Sequence, residues 1–487
     1  MTDVVEPDAP AAGEPGVPRG RRHRWLRPVL AVAVVAAVAA GAALVLTGGG
    51  SSHPDAWDPR IVDLVAFVEG ERGLTFDHPV EVQFLADDDF RREVTENDEL
   101  DEEERAELES IEATLRALGL VTGDVDLEEI GDELIGDGVI GLYSFDDERI
   151  LVRGDTLDDQ RRSTLVHELT HALQDQHFDI GEFDPERSGA RAAFTAVVEA
   201  DAEDVEEAWR ETLSDSAREQ LEASEGESAA GIDFEGVPEV FVELMVFPYV
   251  FGPDFLDAVV EERGTGGRNE LFTSPPTTEE HIVLPETFLD GQRAEEVLTP
   301  ALEEGESLLE ESEDDFGMLS LLVVLGERVD FAGVWSGVQG WAGDAMVAFE
   351  RDGRTCVRAQ VAFDETAQAE QFGVAFDQWA IDLPAGQRRD GRFVTFESCD
   401  PGDEATGGRP EGHVSAIQGL ALRRAIAEGF ESSGAPPDAA VCVADGLLER
   451  LTANRVAELD RILTADPGDP AAAEVQQAVA ELVPRCR

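Results

Sequence analysis

The sequence predicts an α+β fold made of more than one folded unit. Its 487 residues exceed what a single hydrophobic core usually holds. Short apolar segments typical of strands and longer segments with the 3.6-residue period of helices occur before residue 300 and again after it. We therefore expect one domain over residues 61–300 and a second α+β region over residues 301–487.

The N-terminal 60 residues predict a membrane anchor. Residues 1–28 are rich in Pro, Ala, Gly and acidic groups, end in five arginines between positions 19 and 27, and are expected to form a disordered cytoplasmic tail. Residues 29–47 contain an uncharged run of 18 residues, from Val29 to Leu46, long enough to cross a bilayer as one helix with the arginines in the cytoplasm. A cleaved secretory signal is the alternative. In both cases residues 48–60 are a linker and the bulk of the protein lies outside the cytoplasm.

Cysteine usage agrees with an extracytoplasmic location. The chain has four cysteines, all in its last third: Cys356, Cys399, Cys442 and Cys486. Outside the cytoplasm they predict two disulfides, with no C-x-x-C spacing to suggest a structural metal. We expect the pairs 356–399 and 442–486, because each pair falls within one sub-region.

The charge of the chain excludes one class of partner. There are 106 acidic residues against 37 basic ones, a net charge of −69. A surface this acidic repels nucleic acid, so no nucleic-acid partner is expected. Solubility in a salty medium is the simplest interpretation of the charge.

The first domain is expected to combine a small sheet with long helices. Its predicted elements are a helix over 60–72, a strand over 80–85, a charged helical stretch over 87–124, a hairpin of strands 139–143 and 149–152, a helix from a cap at Thr156 to 176, a helix over 188–213, a mobile acidic loop over 214–236, and a helical region over 238–262 broken near Pro248 and Gly252.

The second region is expected to begin with a hairpin. Strands over 346–349 and 355–363 flank Asp352-Gly353, a strong signal for a two-residue turn. A helix over 366–381, a strand near 393–396 and a helical tail over 437–483 follow.

The helix that ends near residue 176 carries the pattern H-E-x-x-H as His167–His171. Histidines four residues apart lie on one helical face, where both can bind a single zinc ion. Glu168 between them is then placed to take a proton from a metal-bound water. Chance matches usually fall outside such a context, whereas Leu165, Leu169 and Leu173 here give the helix an apolar face. We therefore predict Zn²⁺ as the cofactor.

A third protein ligand is needed, and two candidates compete. His177 has the spacing of the third metzincin histidine, but the position that is glycine in that pattern is Gln174, so the helix continues and carries His177 out of reach. Glu199 lies on the apolar face of the next helix, where an unpaired carboxylate would be costly and a zinc ion would supply its partner. Asp201 and Glu203 are fallback ligands. Glu203 is also placed to accept the second N–H of a zinc-bound histidine.

These motifs carry a resemblance. His167–His171, followed by a helix with Glu199-x-x-x-Glu203, resembles the gluzincin arrangement of thermolysin-like zinc metallopeptidases, although that family has aspartate at the position of Glu203 and a shorter gap between the helices. Residues 167–178, H-E-L-T-H-A-L-Q-D-Q-H-F, and Glu199-Ala200-Asp201-Ala202 are similar to a group of bacterial membrane-anchored extracytoplasmic proteins, over roughly residues 61–300.

The resemblance implies a zincin-like catalytic domain, with a small antiparallel sheet, an active-site helix and a helical lower part. In zincins the strand before the motif helix is an edge strand that pairs with extended substrate, a role open to residues 141–145 or 149–153. Tyr249, one of only two tyrosines, or His281 is a candidate to stabilise the oxyanion.

The function expected from the sequence is that of a membrane-anchored extracytoplasmic zinc metallopeptidase, an endopeptidase rather than an exopeptidase, whose partner is a peptide or protein substrate. Two alternatives stay open. One is a non-catalytic binding or scaffold protein on the same fold, against which the intact Glu168 argues. The other is a zinc hydrolase of non-peptide bonds.

Overall fold

The structure is a computed structural model that describes residues 53–95, 102–402, 414–450 and 470–486, apart from positions 122, 124, 146, 184, 186, 233, 235 and 236. The α+β prediction is confirmed, since 59% of the described residues are helical and 14% lie in two small sheets.

The described residues of the first part of the chain form ten α-helices and three strands, and their bounds follow. They are α1 (Val62–Arg72), β1 (Glu81–Leu85), α2 (Asp87–Thr95), α3 (Glu102–Ala117), α4 (Leu127–Gly138), β2 (Gly141–Ser144), β3 (Arg149–Arg153), α5 (Asp159–Phe178), α6 (Ser188–Glu211), α7 (Asp215–Ala229), α8 (Glu239–Thr273), α9 (Glu279–Val283) and α10 (Pro285–Leu289).

The first sheet has the strand order β1-β3-β2. The predicted hairpin is present, because β2 and β3 pair antiparallel. However, β1 pairs with β3 in parallel, so the sheet is mixed rather than antiparallel. This also places β3 in the centre of the sheet, and the prediction that residues 149–153 could form a substrate-binding edge is wrong. The strand at the edge is β2.

The second part of the chain contains a larger, antiparallel sheet. Its elements are β4 (Ser307–Asp314), α11 (Gly317–Gly326), α12 (Phe331–Val338), β5 (Trp341–Arg351), β6 (Arg354–Phe363), α13 (Thr366–Trp379), β7 (Ala385–Asp390), β8 (Phe393–Cys399), α14 (Ala416–Ser432), α15 (Pro437–Arg450) and α16 (Pro470–Leu482). The strand order is β4-β5-β6-β8-β7, and the predicted β5–β6 hairpin turns at Asp352-Gly353, both with positive φ as a type I′ turn requires.

Both predicted disulfides are confirmed. Cys356 and Cys399 face each other on the paired strands β6 and β8, and their bond closes this strand pair. The Cys442–Cys486 bond joins α15 to the segment that follows α16.

Two hydrophobic cores organise the molecule. The small core surrounds the motif helix and contains apolar residues of α1, the first sheet and α5, with Val205 and Trp209 from the second half of α6. The large core contains residues of α6 such as Phe194 and continues through α8 into the helices and strands after residue 300. The core is therefore continuous across the position where the sequence predicted a domain boundary.

Three local predictions differ from the structure. Residues 215–229 form helix α7 rather than a loop, capped by Ser214, whose side chain accepts the N–H of Ala217. The long helix α8 runs through Pro248 and Gly252, and its non-helical residue is Gly264, with φ 71°. The cap of α5 is Asp158 rather than Thr156.

The prediction of a membrane anchor is corrected. Within the described ranges, no helix combines the length and the apolar character needed to cross a membrane. The residues predicted to do so, 29–47, lie outside the described part of the chain together with the predicted cytoplasmic tail.

Candidate metal centre

The metal-ligand candidates are brought together by α5 and α6, which pack against each other. His167 and His171 project from one face of α5, with ring centroids 4.6 Å apart, and Glu199 faces them from α6. The three side chains are buried, and one ligand atom from each lies within 4.8 Å of the others. In the described part of the chain, this is the one group of three or more His, Cys, Asp or Glu residues with such spacing.

The distances suit a tetrahedral zinc ion. Nε2 of His167 lies 3.2 Å from one Glu199 oxygen, and Nε2 of His171 lies 3.7 Å from the other. Ligand atoms about 2.0–2.1 Å from zinc at tetrahedral angles are about 3.3 Å apart. The two histidines and the carboxylate therefore fit the ion in chemistry and in separation, and they leave a fourth position open.

The electrostatics of this cluster also favour a cation. Burial lowers the pKa of His167, but its hydrogen bonds to the carboxylates of Glu199 and Glu206 outweigh burial and raise this pKa well above its ordinary value. Burial raises the pKa of Glu199, whereas His171 and His167 lower it, with a net decrease. Both shifts show that the pocket stabilises positive charge beside Glu199.

Glu168 is held by the edge strand of the first sheet. Its Oε2 accepts the backbone N–H of Tyr143 in β2 at 2.8 Å. Strand β2 can lie this close to α5 because position 141 is glycine. A Cβ atom there would lie 2.6 Å from the Thr164 side chain. Burial raises the pKa of Glu168, and His167 and His171 offset this rise only in part. A carboxylate with a raised pKa, adjacent to the metal ligands, is suited to accept a proton and to return it.

Tyr249 reaches the same cluster from α8. Helix α8 approaches α6 closely at Gly252, where a Cβ atom would meet the carbonyl oxygen of Ala196 at 2.5 Å. The Tyr249 hydroxyl is buried beside the Glu199 carboxylate, to which it can donate a hydrogen bond. Burial raises the pKa of this phenol, and the charge of Glu199 raises it further, so the hydroxyl stays protonated beside the carboxylate. A buried donor at this point can be shared with a ligand.

The second nitrogen of His167 has a partner that the sequence did not predict. Its Nδ1 lies 3.2 Å from Glu206, whereas Glu203 had been expected there. Glu206 also accepts hydrogen bonds from Ser163 and Arg210, at 2.8 and 2.7 Å. Burial raises the pKa of Glu206, but the Arg210 charge and the hydrogen bond from His167 lower it to about 2, so this carboxylate is ionised.

His171 is supported by a neutral side chain. Its Nδ1 lies 3.0 Å from Oε1 of Gln174, one turn further along α5. Asp201, a predicted fallback ligand, does not reach the cluster; it is fully buried and pairs with Arg72 at 2.9 Å and with Arg268. The two guanidinium groups explain why this carboxylate needs no metal ion.

Two further predicted histidines lie elsewhere. At the end of α5, the Nε2 of His177 contacts the carbonyl oxygen of Thr75 at 2.8 Å. The backbone N–H of Thr277 donates to Nδ1 of His281, and Nε2 of His281 donates to the carbonyl oxygen of Gln292. Both ring nitrogens of His281 are therefore used by backbone groups, which argues against the predicted role at the oxyanion.

Comparisons with models of known protein families, with curated protein sequences and with solved structures gave no match. The resemblance to gluzincins therefore stays a prediction, and the site is interpreted from its own geometry.

The partners of the two histidines were missed for different reasons. Glu206 follows Glu199 by seven residues, two helical turns on the same face, and this spacing was available in the sequence. Gln174 is a neutral residue on the motif helix, and no sequence pattern distinguishes it from a glutamine outside the cluster such as Gln176, which bonds the backbone of Asp77 and His78.

Proposed function

We propose that this protein is an extracytoplasmic zinc metallopeptidase of gluzincin type, with a zincin-like catalytic domain. The observation that carries the proposal is the convergence of His167, His171 and Glu199, with Glu168 held beside them by the edge strand. The two disulfides support a location outside the cytoplasm.

His167, His171 and Glu199 would hold the zinc ion. When bound, such an ion polarises a scissile carbonyl and lowers the pKa of water, which is the chemistry that peptide hydrolysis requires.

Glu168 acts as the general base and then as the general acid. Its carboxylate accepts the proton of the attacking water and passes it to the leaving amine. The Tyr143 N–H engages one oxygen of this carboxylate and fixes its orientation, which leaves the other oxygen for the proton transfer. The protonated hydroxyl of Tyr249 is suited to donate a hydrogen bond to the oxyanion that develops on the substrate.

The edge of β2 supports binding of an extended peptide. The carbonyl of Ile140 accepts the N–H of Arg153, so the backbone groups of Ile140 and Leu142 point towards β3. By the alternation of an antiparallel pair, those of Gly141 and Tyr143 point outwards, on the side of Glu168. A substrate strand added at this edge would extend past the site in both directions, which favours an endopeptidase.

Zinc content and cleavage of a peptide library, measured on wild type and on Glu168→Gln, test this proposal. We expect about one zinc per chain in both proteins and a cleavage rate reduced by about 10²–10⁴ in the variant. A zinc-free wild-type protein would contradict the metal site. Equal cleavage by both proteins would contradict the role of Glu168, and zinc binding without any cleavage would favour a binding protein.

A further inference from the structure

We propose that Gln174 and Asp201 are positioning residues that fix the tautomer of His171, so that the Nε2 lone pair of His171 faces the metal position. This inference rests on the proposed zinc site. It assigns a role in that site to a buried carboxylate which binds no metal itself.

The side-chain amide of Gln174 is the group that contacts His171. Gln174 is 1% exposed, and its Nε2 lies 3.0 Å from the carbonyl oxygen of Val198 and 2.7 Å from the carboxylate of Asp201. Two acceptors thus take the two N–H groups of the amide. The remaining atom, Oε1, is an acceptor and faces Nδ1 of His171 at 3.0 Å.

The orientation of this amide decides which nitrogen of His171 carries the proton. With the oxygen facing Nδ1, the neutral imidazole places its proton on Nδ1 and its lone pair on Nε2. If the amide turned over, its NH₂ group would face Nδ1, and the proton would move to Nε2. Nε2 is the atom directed at Glu199, so the turned amide would remove a metal ligand.

Asp201 is held so that it selects the first orientation. Its carboxylate accepts from Nε of Arg72 in α1 and from Nε of Arg268 in α8. Guanidinium groups can only donate, so the two arginines hold both carboxylate oxygens as acceptors and keep the group ionised. An ionised carboxylate can only accept hydrogen bonds, and it therefore admits the NH₂ end of Gln174 and excludes the oxygen end.

The variant Asp201→Asn tests the role of the carboxylate. Its amide can donate as well as accept, so the Val198 carbonyl is then the one strict acceptor left for the NH₂ group of Gln174. We expect a larger share of the turned amide, and zinc affinity to fall by about 10–100-fold.

The readouts are zinc affinity of the full chain, by competition with a chelating dye, and the tautomer of His171, by ¹⁵N NMR of histidine-labelled apoprotein. We expect the Nδ1–H tautomer in wild type and mixed tautomers in Asp201→Asn. Wild type with the proton on Nε2, or Asp201→Asn with the tautomer and the zinc affinity of wild type, overturns the proposal.

A second comparison covers the case in which Asp201→Asn does not fold. Gln174→Met keeps the size of the side chain and removes its acceptor, and Gln176→Met is the matched control two residues along the same helix. We expect the 10–100-fold loss of zinc affinity in Gln174→Met alone. Equal affinities overturn the inference while leaving the zinc site standing. Failure of wild type to bind zinc overturns both proposals.

Discussion

Replacement of Glu279 by glutamine is expected to raise the stability of the protein at pH 8 and to leave it nearly unchanged near pH 4.5. Glu279 lies in the first turn of α9, is 3% exposed and has one oxygen without a hydrogen-bond partner in the described residues. Its carboxylate lies against Gly189, where a Cβ atom would be 2.7 Å away, and faces Asp315 and Asp344.

The magnitude follows from the pKa of this group. Burial, reinforced by the negative charges of Asp315 and Asp344, raises the pKa of Glu279 from 4.5 to about 8. Between these values the folded chain binds a proton that the unfolded chain does not, so stability is lost as pH rises from about 4.5 to about 8. At about 1.4 kcal/mol per pKa unit, the loss amounts to at most about 5 kcal/mol. Glutamine resembles the protonated carboxyl group and removes this loss.

The assay is urea unfolding of wild type and Glu279→Gln at several pH values, with Glu286→Gln, at an exposed position of α10, as the control. Other titrating groups are common to all three proteins. The difference in free energy of unfolding between the Glu279 variant and wild type should grow by several kcal/mol between pH 5 and pH 8, while that of the control stays near zero. A difference that is the same at both pH values would refute the reasoning.

Two other substitutions test the packing around the metal centre. Arg210→Met should destabilise the protein by about 3–5 kcal/mol, because it removes the guanidinium from two buried carboxylates, Glu206 and Glu225. By the same urea assay, Arg218→Met, which breaks an exposed pair on α7, should cost less than about 1 kcal/mol. Gly252→Ala should force α8 away from the Ala196 carbonyl, at a cost of about 1–3 kcal/mol, and reduce cleavage activity. Gly266→Ala, later in α8 with open space around it, is its control; equal losses in the two glycine variants would contradict the close approach of α8 and α6.

Sequence reasoning succeeded where one local signal determines the structure. The motif helix has an apolar face and a regular period, and the β5–β6 hairpin has Asp352-Gly353 at its turn. The two disulfides followed from the sub-region that each pair shares, the strand-rich part for Cys356 and Cys399 and the helical tail for Cys442 and Cys486.

Prediction from the sequence failed where the composition of a segment hides its helical period, and where two contacting segments are far apart in the chain. The Ala-, Ser- and Glu-rich residues of α7 were interpreted as a loop, although Ser214 is a good helix cap and Leu221 a buried anchor. Nearly all residues of α11 are buried, so no amphipathic period marks this helix. The parallel pairing of β1 with β3 joins segments more than sixty residues apart, and neither segment contains a signal that determines the order of the strands.

The residues of the candidate metal centre also divide into those that a local pattern identifies and those whose contacts are distant in the chain. His167, Glu168 and His171 occupy fixed positions in a motif, and Glu199 could be inferred from an acidic group on an apolar face. Asp201, two residues further along α6, points about 200° away from Glu199 around the helix. The sequence could not show that arginines from α1 and α8 reach it across 129 and 67 residues.

Helix α6 belongs to both hydrophobic cores, its first half to the large core and its second half to the small one. Glu199 lies in the first half of α6 and Glu206 in the second half. The two carboxylates that contact His167 are therefore carried by one helix, on either side of the boundary between the two cores. Strand β3 also contributes to both cores, with Leu151 in the large one and Ile150 and Val152 in the small one. In the described elements that belong to one core, repacking can be absorbed within that core. Along α6 every change of shape is transmitted to both. Saturation mutagenesis should therefore find the lowest tolerance to substitution on the buried faces of α6, below that of equally buried positions in the surrounding helices.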